Sequence, residues 1–286
     1  MAARKTTTLC FLIALSAGVA VVPRAWATGS DVPVDVELVI AVDASRSMER
    51  FEQEIQRHGY VAAFRHQEIA KAILEGVHGK VAVVYVEWAG AGLQRVIVPW
   101  TLVDSRDAAA AFADELDQPV PSTQSRTSLS GAIDFSTALF DGNGFAGMRR
   151  VIDVSGDGSN NQGRPVTQAR DETVAKGITI NGLPLMTRGT RLLEWNDDQL
   201  DVYYSNCVIG GPGAFMIPVN DWAQFTEAVR RKLVLELAGR QPDVIHADWR
   251  SADPGAPVVH VQAQQSYDCL SGEKQWQRRM QEWEWR

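Results

Sequence analysis

The sequence predicts an α/β fold of three layers, in which an open, mostly parallel sheet has helices on both faces and one antiparallel strand at its edge. Strand-like and helix-like segments alternate over residues 35–238, an order typical of a parallel sheet joined by helices. The first strand-like run, residues 37–42, is continuously apolar, as expected for a strand that is buried on both faces. Residues 80–88 and 93–100 are two β-rich runs with only four residues between them, so we expect an antiparallel hairpin there.

The other predicted elements follow in chain order. Hydrophobic periodicity and breaker residues predict helices over residues 48–64 and 67–77 with a break near His66, and over 104–116, about 128–140, 165–176 and 197–206. Further strands are predicted over residues 149–155, 178–185 and 214–219. Asn220 is expected to cap a final helix that reaches Ala238.

The N-terminal residues have the features of a secretory signal peptide. Arg4 and Lys5 precede an apolar run over residues 9–22, and Ala25-Trp26-Ala27 is a small-x-small cleavage signature. The run is shorter than the roughly 20 residues of a bilayer-spanning helix, which disfavours an uncleaved anchor. We therefore predict a signal peptide at 1–27, a domain at 28–240 and a C-terminal extension at 241–286, exported to the periplasm or secreted, with no transmembrane segment after cleavage.

The charge balance disfavours nucleic acid as a partner. The chain has 28 Lys and Arg against 35 Asp and Glu, and removal of the predicted signal peptide takes away Arg4, Lys5 and Arg24 but no acid. The mature chain is therefore acidic, and an acidic surface repels the phosphate backbone.

Two of the three cysteines remain in the predicted mature chain. Cys10 leaves with the signal peptide, whereas Cys207 and Cys269 stay. In an oxidising compartment an even pair usually forms a disulfide, so we expect Cys207 to pair with Cys269. The alternative is that Cys269, in a weakly patterned tail, does not meet Cys207. The same tail carries Trp276, which fits either a docking segment or an amphipathic helix packed on its own domain.

The main candidate site begins directly after the first apolar strand. Asp43, Ser45 and Ser47 stand at alternate positions, so in an extended segment their side chains would point the same way. Their donors are all oxygen, which suits Mg²⁺, with Mn²⁺ or Ca²⁺ as alternatives, and no His or Cys is near that would favour zinc. Ser47, just before a predicted helix, is equally typical of an N-cap.

Two more oxygen-rich loops are predicted at the same edge of the sheet. Thr127 stands just ahead of a predicted helix, and Asp157 follows the predicted strand 149–155. In open α/β sheets, ligands bind beyond the carboxyl ends of the strands. The order of D-x-S-x-S, a later Thr and a later Asp is a more specific signal of a metal site than any of these motifs alone.

This order of motifs resembles the von Willebrand factor A domain and its metal-ion-dependent adhesion site, abbreviated MIDAS. Over residues 34–238 the chain is most similar to the bacterial exported DUF1194 family of A-domain-like proteins of unknown function. The resemblance implies that Ser45, Ser47 and Thr127 are hydroxyl ligands of a divalent cation, and that Asp43 and Asp157 bind it directly or through water. The family more often has Thr or Ser just before the second Asp, where this chain has Gly156.

The expected ligand set leaves the cation able to bind a partner. Two carboxylates roughly neutralise one divalent ion, and hydroxyls add no charge, so an open coordination position would favour a carboxylate oxygen from another protein. We therefore expect a protein partner that offers an acidic side chain, and no enzymatic activity.

Two alternatives stay open. A Mg²⁺-dependent phosphatase would use Asp43 as its nucleophile, although enzymes that resemble the haloacid dehalogenase group have a second Asp where this chain has Ser45. A structural scaffold would keep the fold with a non-functional metal site. A serine hydrolase is disfavoured because the chain has no G-x-S-x-G motif.

Overall fold

The computed structural model describes residues 30–118, 126–187, 199–238 and 267–284, so the predicted signal peptide lies outside the described residues. Five strands form one sheet in the order β3-β2-β1-β4-β5. Their bounds are β1 Val32–Asp43, β2 Val81–Trp88, β3 Gln94–Val103, β4 Phe145–Gly156 and β5 Ile178–Pro184. All neighbours are parallel except β2 and β3, which form an antiparallel pair at the edge. The predicted fold class is therefore confirmed.

Eight α-helices are present in the described residues. They are α1 Arg50–Arg65, α2 Gln67–Leu74, α3 Arg106–Leu116, α4 Leu129–Ala138, α5 Val166–Ala175, α6 Leu200–Tyr203, α7 Phe225–Leu237 and α8 Ser271–Glu284. A π-helical turn, Tyr204–Val208, continues α6. The predicted break at His66 is confirmed, because this residue has extended backbone angles and its imidazole accepts a hydrogen bond from the Glu68 N–H.

The central strand β1 is covered on both faces, which explains its continuous apolar sequence. Alternate side chains of a strand point to opposite faces, and Leu38 and Ile40 pack in the core layer formed with α1, α2, α3 and α7. Val39 and Ala41 pack on the other side, in the layer with α4, α5 and α6. Each fully buried aliphatic side chain of this kind contributes about 1.5–3 kcal/mol to the free energy of unfolding. None of the described helices is long and apolar enough to cross a membrane.

Two sequence predictions about the last part of the domain are wrong. Residues 214–219 run beside β5 but make only isolated bridges, because Pro184 of β5 has no N–H to donate to the Ile217 carbonyl oxygen between them. Asn220 does not cap the following helix. Instead, the Asp221 carboxylate accepts a hydrogen bond from the Ala223 N–H and begins a short 3₁₀ turn, Trp222–Gln224, ahead of α7.

The strand order places one crevice at the carboxyl edge of the sheet. β1 lies between β2 and β4, and the chain runs outward from β1 in opposite directions on its two sides. Such a reversal of strand order is where open α/β sheets bind ligands. Asp43 is the last residue of β1 and Asp157 directly follows β4, so the sheet brings the two aspartates to the same crevice.

Candidate metal site

Hydroxyl groups connect the two aspartates of the crevice. Ser45 Oγ lies 2.6 Å from Ser47 Oγ, and Ser47 Oγ donates a hydrogen bond to Asp157 Oδ1 at 2.7 Å. The Ser45 N–H donates to Asp43 Oδ1, also at 2.7 Å. Four of the five predicted ligand residues therefore form one hydrogen-bonded cluster at the ends of β1 and β4.

The local backbone differs from the sequence expectation in two ways. The segment after Asp43 is not extended as far as Ser47, because a turn closes with a hydrogen bond from the Met48 N–H to the Ser45 carbonyl oxygen. Ser47 is not the cap of α1 either. Glu49 occupies the N-cap position, and its N–H donates to the Glu52 carboxylate. The turn, rather than strand alternation, brings the serine hydroxyls together.

Thr127, the fifth predicted ligand, joins the same edge through Asn161. The Thr127 N–H donates to Asn161 Oδ1 at 3.1 Å, and the Asn161 N–H donates back to the Thr127 carbonyl oxygen at 3.0 Å. Ser128, the next residue, caps α4 by accepting from the Gly131 N–H. Thr127 is thereby held at the helix start and against the loop that carries Asp157.

The loop after Asp157 is tied to its neighbours by the amide residues 160–162. Asn160 is fully buried, and its Oδ1 accepts a hydrogen bond from the Ser130 N–H at 3.1 Å. Gln162 accepts through its carbonyl oxygen from Ser128 Oγ and through Oε1 from the Ala91 N–H. The run of three amides at 160–162 was the only sequence signal for this framework.

Two glutamines of α1 support the first loop from the opposite side. Gln56 Nε2 donates to the Asp43 carbonyl oxygen at 3.2 Å, and Gln53 Nε2 donates to that of Met48 at 3.3 Å. Both glutamines are buried. They stand three residues apart on one face of α1, a position where apolar side chains would be expected.

The electrostatics and the donor set fit a hard divalent cation. Burial, and after it the negative charge of Asp157, raises the pKa of Asp43 to about 8. Asp43 Oδ2 is buried and has no hydrogen-bond partner within the described part of the chain, and a cation would relieve both costs. Over the same residues there is no cluster of three or more His, Cys, Asp or Glu. The site consists of carboxylates and neutral hydroxyls, which are ligands typical of Mg²⁺, Mn²⁺ or Ca²⁺.

The predicted disulfide between Cys207 and Cys269 is confirmed, and it joins the C-terminal segment 267–284 to the π-helical turn after α6. Their Cα atoms are 5.6 Å apart, across 62 residues of sequence. The helix that follows, α8, packs against its own domain. Glu273 Oε1 accepts a hydrogen bond from Asn160 Nδ2 at 2.7 Å, and the Trp276 ring stacks 4.4 Å from the Arg126 guanidinium carbon.

Comparison with known proteins finds one matching family. The family described as "Protein of unknown function (DUF1194)" matches residues 33–241, so α8 and Cys269 lie beyond the matched residues. A search of curated proteins finds no match.

Solved structures with a similar fold include matrix and adhesion proteins. Proximal thread matrix protein 1 from the mussel byssus, with a zinc-occupied MIDAS motif, is 10% identical with a TM-score of 0.50, and the alignment covers 73% of this chain and 50% of that one. The pilus adhesin SpaC from Lactobacillus rhamnosus GG, in its open conformation, is 14% identical with a TM-score of 0.52, over 73% of this chain and 31% of that one. A von Willebrand factor type A protein from Catenulispora acidiphila is 15% identical with a TM-score of 0.48, over 72% and 43%.

This chain thus spans half or less of the length of these proteins, and identities this low show a shared fold alone. The family match covers most of the sequence, including Asp43, Thr127 and Asp157. The chain belongs to the DUF1194 family.

Proposed function

We propose that this protein binds a divalent cation, Mg²⁺ in the first place, at Asp43, Ser45, Ser47, Thr127 and Asp157, and that it binds a protein partner through that cation. The observation that carries the proposal is the link from Ser45 Oγ through Ser47 Oγ to Asp157 Oδ1. Together with the hydrogen bond from the Ser45 N–H to Asp43 Oδ1, it joins carboxylates at the ends of two separate strands, at the edge where the strand order reverses.

The charge of the ligand set explains why a partner would bind there. Asp43 and Asp157 together roughly neutralise a divalent ion, while the serine and threonine hydroxyls contribute no charge. The ion keeps its tendency to bind a further anionic oxygen, so an acidic side chain of another protein is the expected ligand. The zinc-occupied MIDAS motif of the mussel protein and the adhesive role of the pilus protein support this proposal by analogy of fold.

The proposed role is binding rather than catalysis. A phosphatase of the haloacid dehalogenase type would need a carboxylate where this chain has Ser45, and the Ser45 hydroxyl is engaged with Ser47. We further propose that the protein works outside the cytoplasm. The Cys207–Cys269 disulfide supports this location, since such bonds persist in oxidising compartments.

A titration with metal tests the first half of the proposal. The chain from residue 28 onward, freed of metal with EDTA and dialysed, is titrated with Mg²⁺ and with Mn²⁺ in a calorimeter. We expect one binding site in the unaltered sequence and none in Asp43→Ala or Asp157→Ala. Asp141→Ala, an exposed carboxylate in a turn, is the matched control and should bind as the unaltered protein does. Binding that survives both site substitutions would refute the metal site.

Affinity capture from a cell-envelope extract tests the second half. The immobilised protein should retain the same partner in Mg²⁺ and lose it in EDTA, and Asp43→Ala should not retain it in either. Metal binding that raises the melting temperature, without any metal-dependent partner, would instead favour a scaffold whose ion only stabilises the loops.

A further inference from the structure

Tyr204 is buried beside the metal site, and its hydroxyl has no hydrogen-bonding role in the described structure. It begins the π-helical turn after α6, a type of turn that is often found at functional sites. The side chain is fully buried, and its hydroxyl has no hydrogen-bond partner among the described residues. A buried hydroxyl without a partner costs about 1–3 kcal/mol, so its presence needs an explanation.

The Tyr204 hydroxyl and Asp43 Oδ2 both lie next to Gly156. A Cβ atom added to Gly156 would be 3.0 Å from the Tyr204 hydroxyl oxygen, 3.1 Å from Asp43 Oδ2 and 3.0 Å from Trp88 Cζ2. Asp43 Oδ2 and Trp88 Nε1 are themselves buried and without partners in the described regions. Three unsatisfied polar side chains therefore surround one glycine directly before Asp157.

A second glycine makes room for the Tyr204 ring. A Cβ on Gly182, within β5, would be only 2.8 Å from Tyr204 Cδ1. The ring is thus packed directly on the backbone of the sheet. Its neighbour Tyr203 accepts a hydrogen bond from the Asn160 N–H at 3.1 Å, and Cys207 fixes the same turn through the disulfide. The segment is held firmly enough to keep the hydroxyl in one place.

We propose that Tyr204 is a positioning residue of the metal site, whose hydroxyl donates a hydrogen bond to Asp43 Oδ2 when the cation is bound and so keeps this carboxylate oriented for the cation. The proposal rests on the proposed function, because it assumes that Asp43 serves a metal. A hydrogen bond from outside the ligand set fixes the orientation of a ligating carboxylate, and losing such a bond commonly weakens metal binding by about 10- to 100-fold. Tyrosine can give this bond without adding a charge to the site.

The same geometry explains why residue 156 is glycine. The Tyr204 hydroxyl takes the space that a side chain at position 156 would fill. A hydroxyl attached to residue 156 would also be within reach of Asp43 Oδ2. The Tyr204 hydroxyl and a side chain at position 156 cannot occupy this space together. Once the Tyr204 hydroxyl is removed, a hydroxyl on residue 156 should therefore be able to donate to Asp43 in its place.

The test compares Mn²⁺ affinity with the stability of the metal-free protein. Tyr204→Phe keeps the ring and removes only the hydroxyl, so we expect an Mn²⁺ dissociation constant about 10- to 100-fold weaker. The melting temperature in EDTA should stay the same or rise, because an unsatisfied hydroxyl is removed. Gly156→Ser combined with Tyr204→Phe should regain much of the affinity. Gly156→Ala combined with Tyr204→Phe, which has the same crowding without the hydroxyl, should not regain it.

Three results would overturn the inference. Tyr204→Phe could bind Mn²⁺ as the unaltered protein does while Asp43→Ala abolishes binding, which would leave the metal site intact and make Trp88 the donor. The alanine and serine double variants could bind equally well. If the unaltered protein binds no Mn²⁺ at all, the proposed function itself fails and the role of Tyr204 fails with it. Circular dichroism of each metal-free variant checks folding, and if both double variants are unfolded the single variant decides.

Discussion

Ser47 Oγ donates a hydrogen bond to Asp157 Oδ1 at 2.7 Å, across 110 residues of sequence. This bond joins the loop after β1 to the loop after β4, at the point where the strand order of the sheet reverses. It therefore stabilises the crevice between the two loops and also aligns two of the proposed ligands.

Removal of the Ser47 hydroxyl should weaken both the fold and the metal site. A hydrogen bond to a charged group contributes about 1.5–3 kcal/mol, so Ser47→Ala should lower the free energy of unfolding in EDTA by an amount of this order and weaken Mn²⁺ binding. Urea unfolding measures the first effect and calorimetry the second. Ser136→Ala is the matched control, because Ser136 is buried in α4 and its hydroxyl has no partner in the described segments. Equal losses in both variants would contradict the role assigned to Ser47.

The pKa of Asp43 predicts how the stability of the metal-free protein depends on pH. Burial, followed by the charge of Asp157, raises this pKa from 3.8 to about 8. A raised carboxyl pKa gives stability that is fully present below about pH 4 and is lost as the pH rises through about 8. Asp43→Asn cannot ionise, so its melting temperature in EDTA should exceed that of the unaltered protein by an increment that grows between about pH 4 and pH 8. A constant difference over that window would show that Asp43 is not held in its neutral form.

The disulfide should hold α8 against the rim of the site. Replacing Cys207 and Cys269 by alanine should cost about 2–5 kcal/mol of unfolding free energy. We also expect faster amide exchange over α8, since non-covalent contacts such as Asn160–Glu273 and Arg126–Trp276 would then have to fix its position. Exchange over α7 in the same sample is the internal control. Unchanged protection of α8 after loss of the disulfide would mean that packing alone holds the helix.

A buried charge cluster under α7 gives a test of the core that is independent of the metal site. Lys232 Nζ lies 2.6 Å from Asp153 Oδ1 and also pairs with Glu236, and all three side chains are buried. Burial, and next the charge of Glu236, raises the pKa of Asp153 to about 7.

Unequal losses of stability are expected when Lys232 and Asp153 are replaced. Lys232→Met leaves two buried carboxylates without a cation and should cost about 3–5 kcal/mol, as measured by urea unfolding at pH 7.5. Asp153→Asn leaves Lys232 balanced by Glu236 and should cost much less. If Asp153→Asn destabilises as much as Lys232→Met, the cluster needs both carboxylates in their charged form.

The sheet could be predicted from the sequence because its strands follow local patterns. The apolar run at 37–42 and the short link at 89–92 were enough to predict a buried parallel strand and an antiparallel edge. The prediction of a strand at 214–219 was wrong because it considered only the apolar pattern of that segment, whereas the ladder is interrupted by Pro184 of the neighbouring strand β5. Ser47 was a plausible cap by residue type, although the Glu49-x-x-Glu52 spacing fixes the true start of α1.

The ligand residues could be predicted because they follow strands or precede helices in a known order. The residues that hold them in place could not be predicted in this way. Tyr204 and Gln56 reach the site from other elements, and each contact depends on how those elements pack. Gly156 had been noted only as a departure from the family pattern. The structure explains it by the neighbouring Tyr204 hydroxyl, a relationship that no local pattern in the sequence could indicate.

Anomalous diffraction from Mn²⁺-soaked crystals of the chain from residue 28 onward tests the central claim most directly. We predict one strong anomalous peak at the carboxyl edge between β1 and β4, within coordination distance of the Ser45 and Ser47 hydroxyl oxygens. The same soak of Asp43→Ala crystals should show no peak there. The absence of this anomalous peak in the unaltered protein, or its presence in Asp43→Ala, would contradict the account.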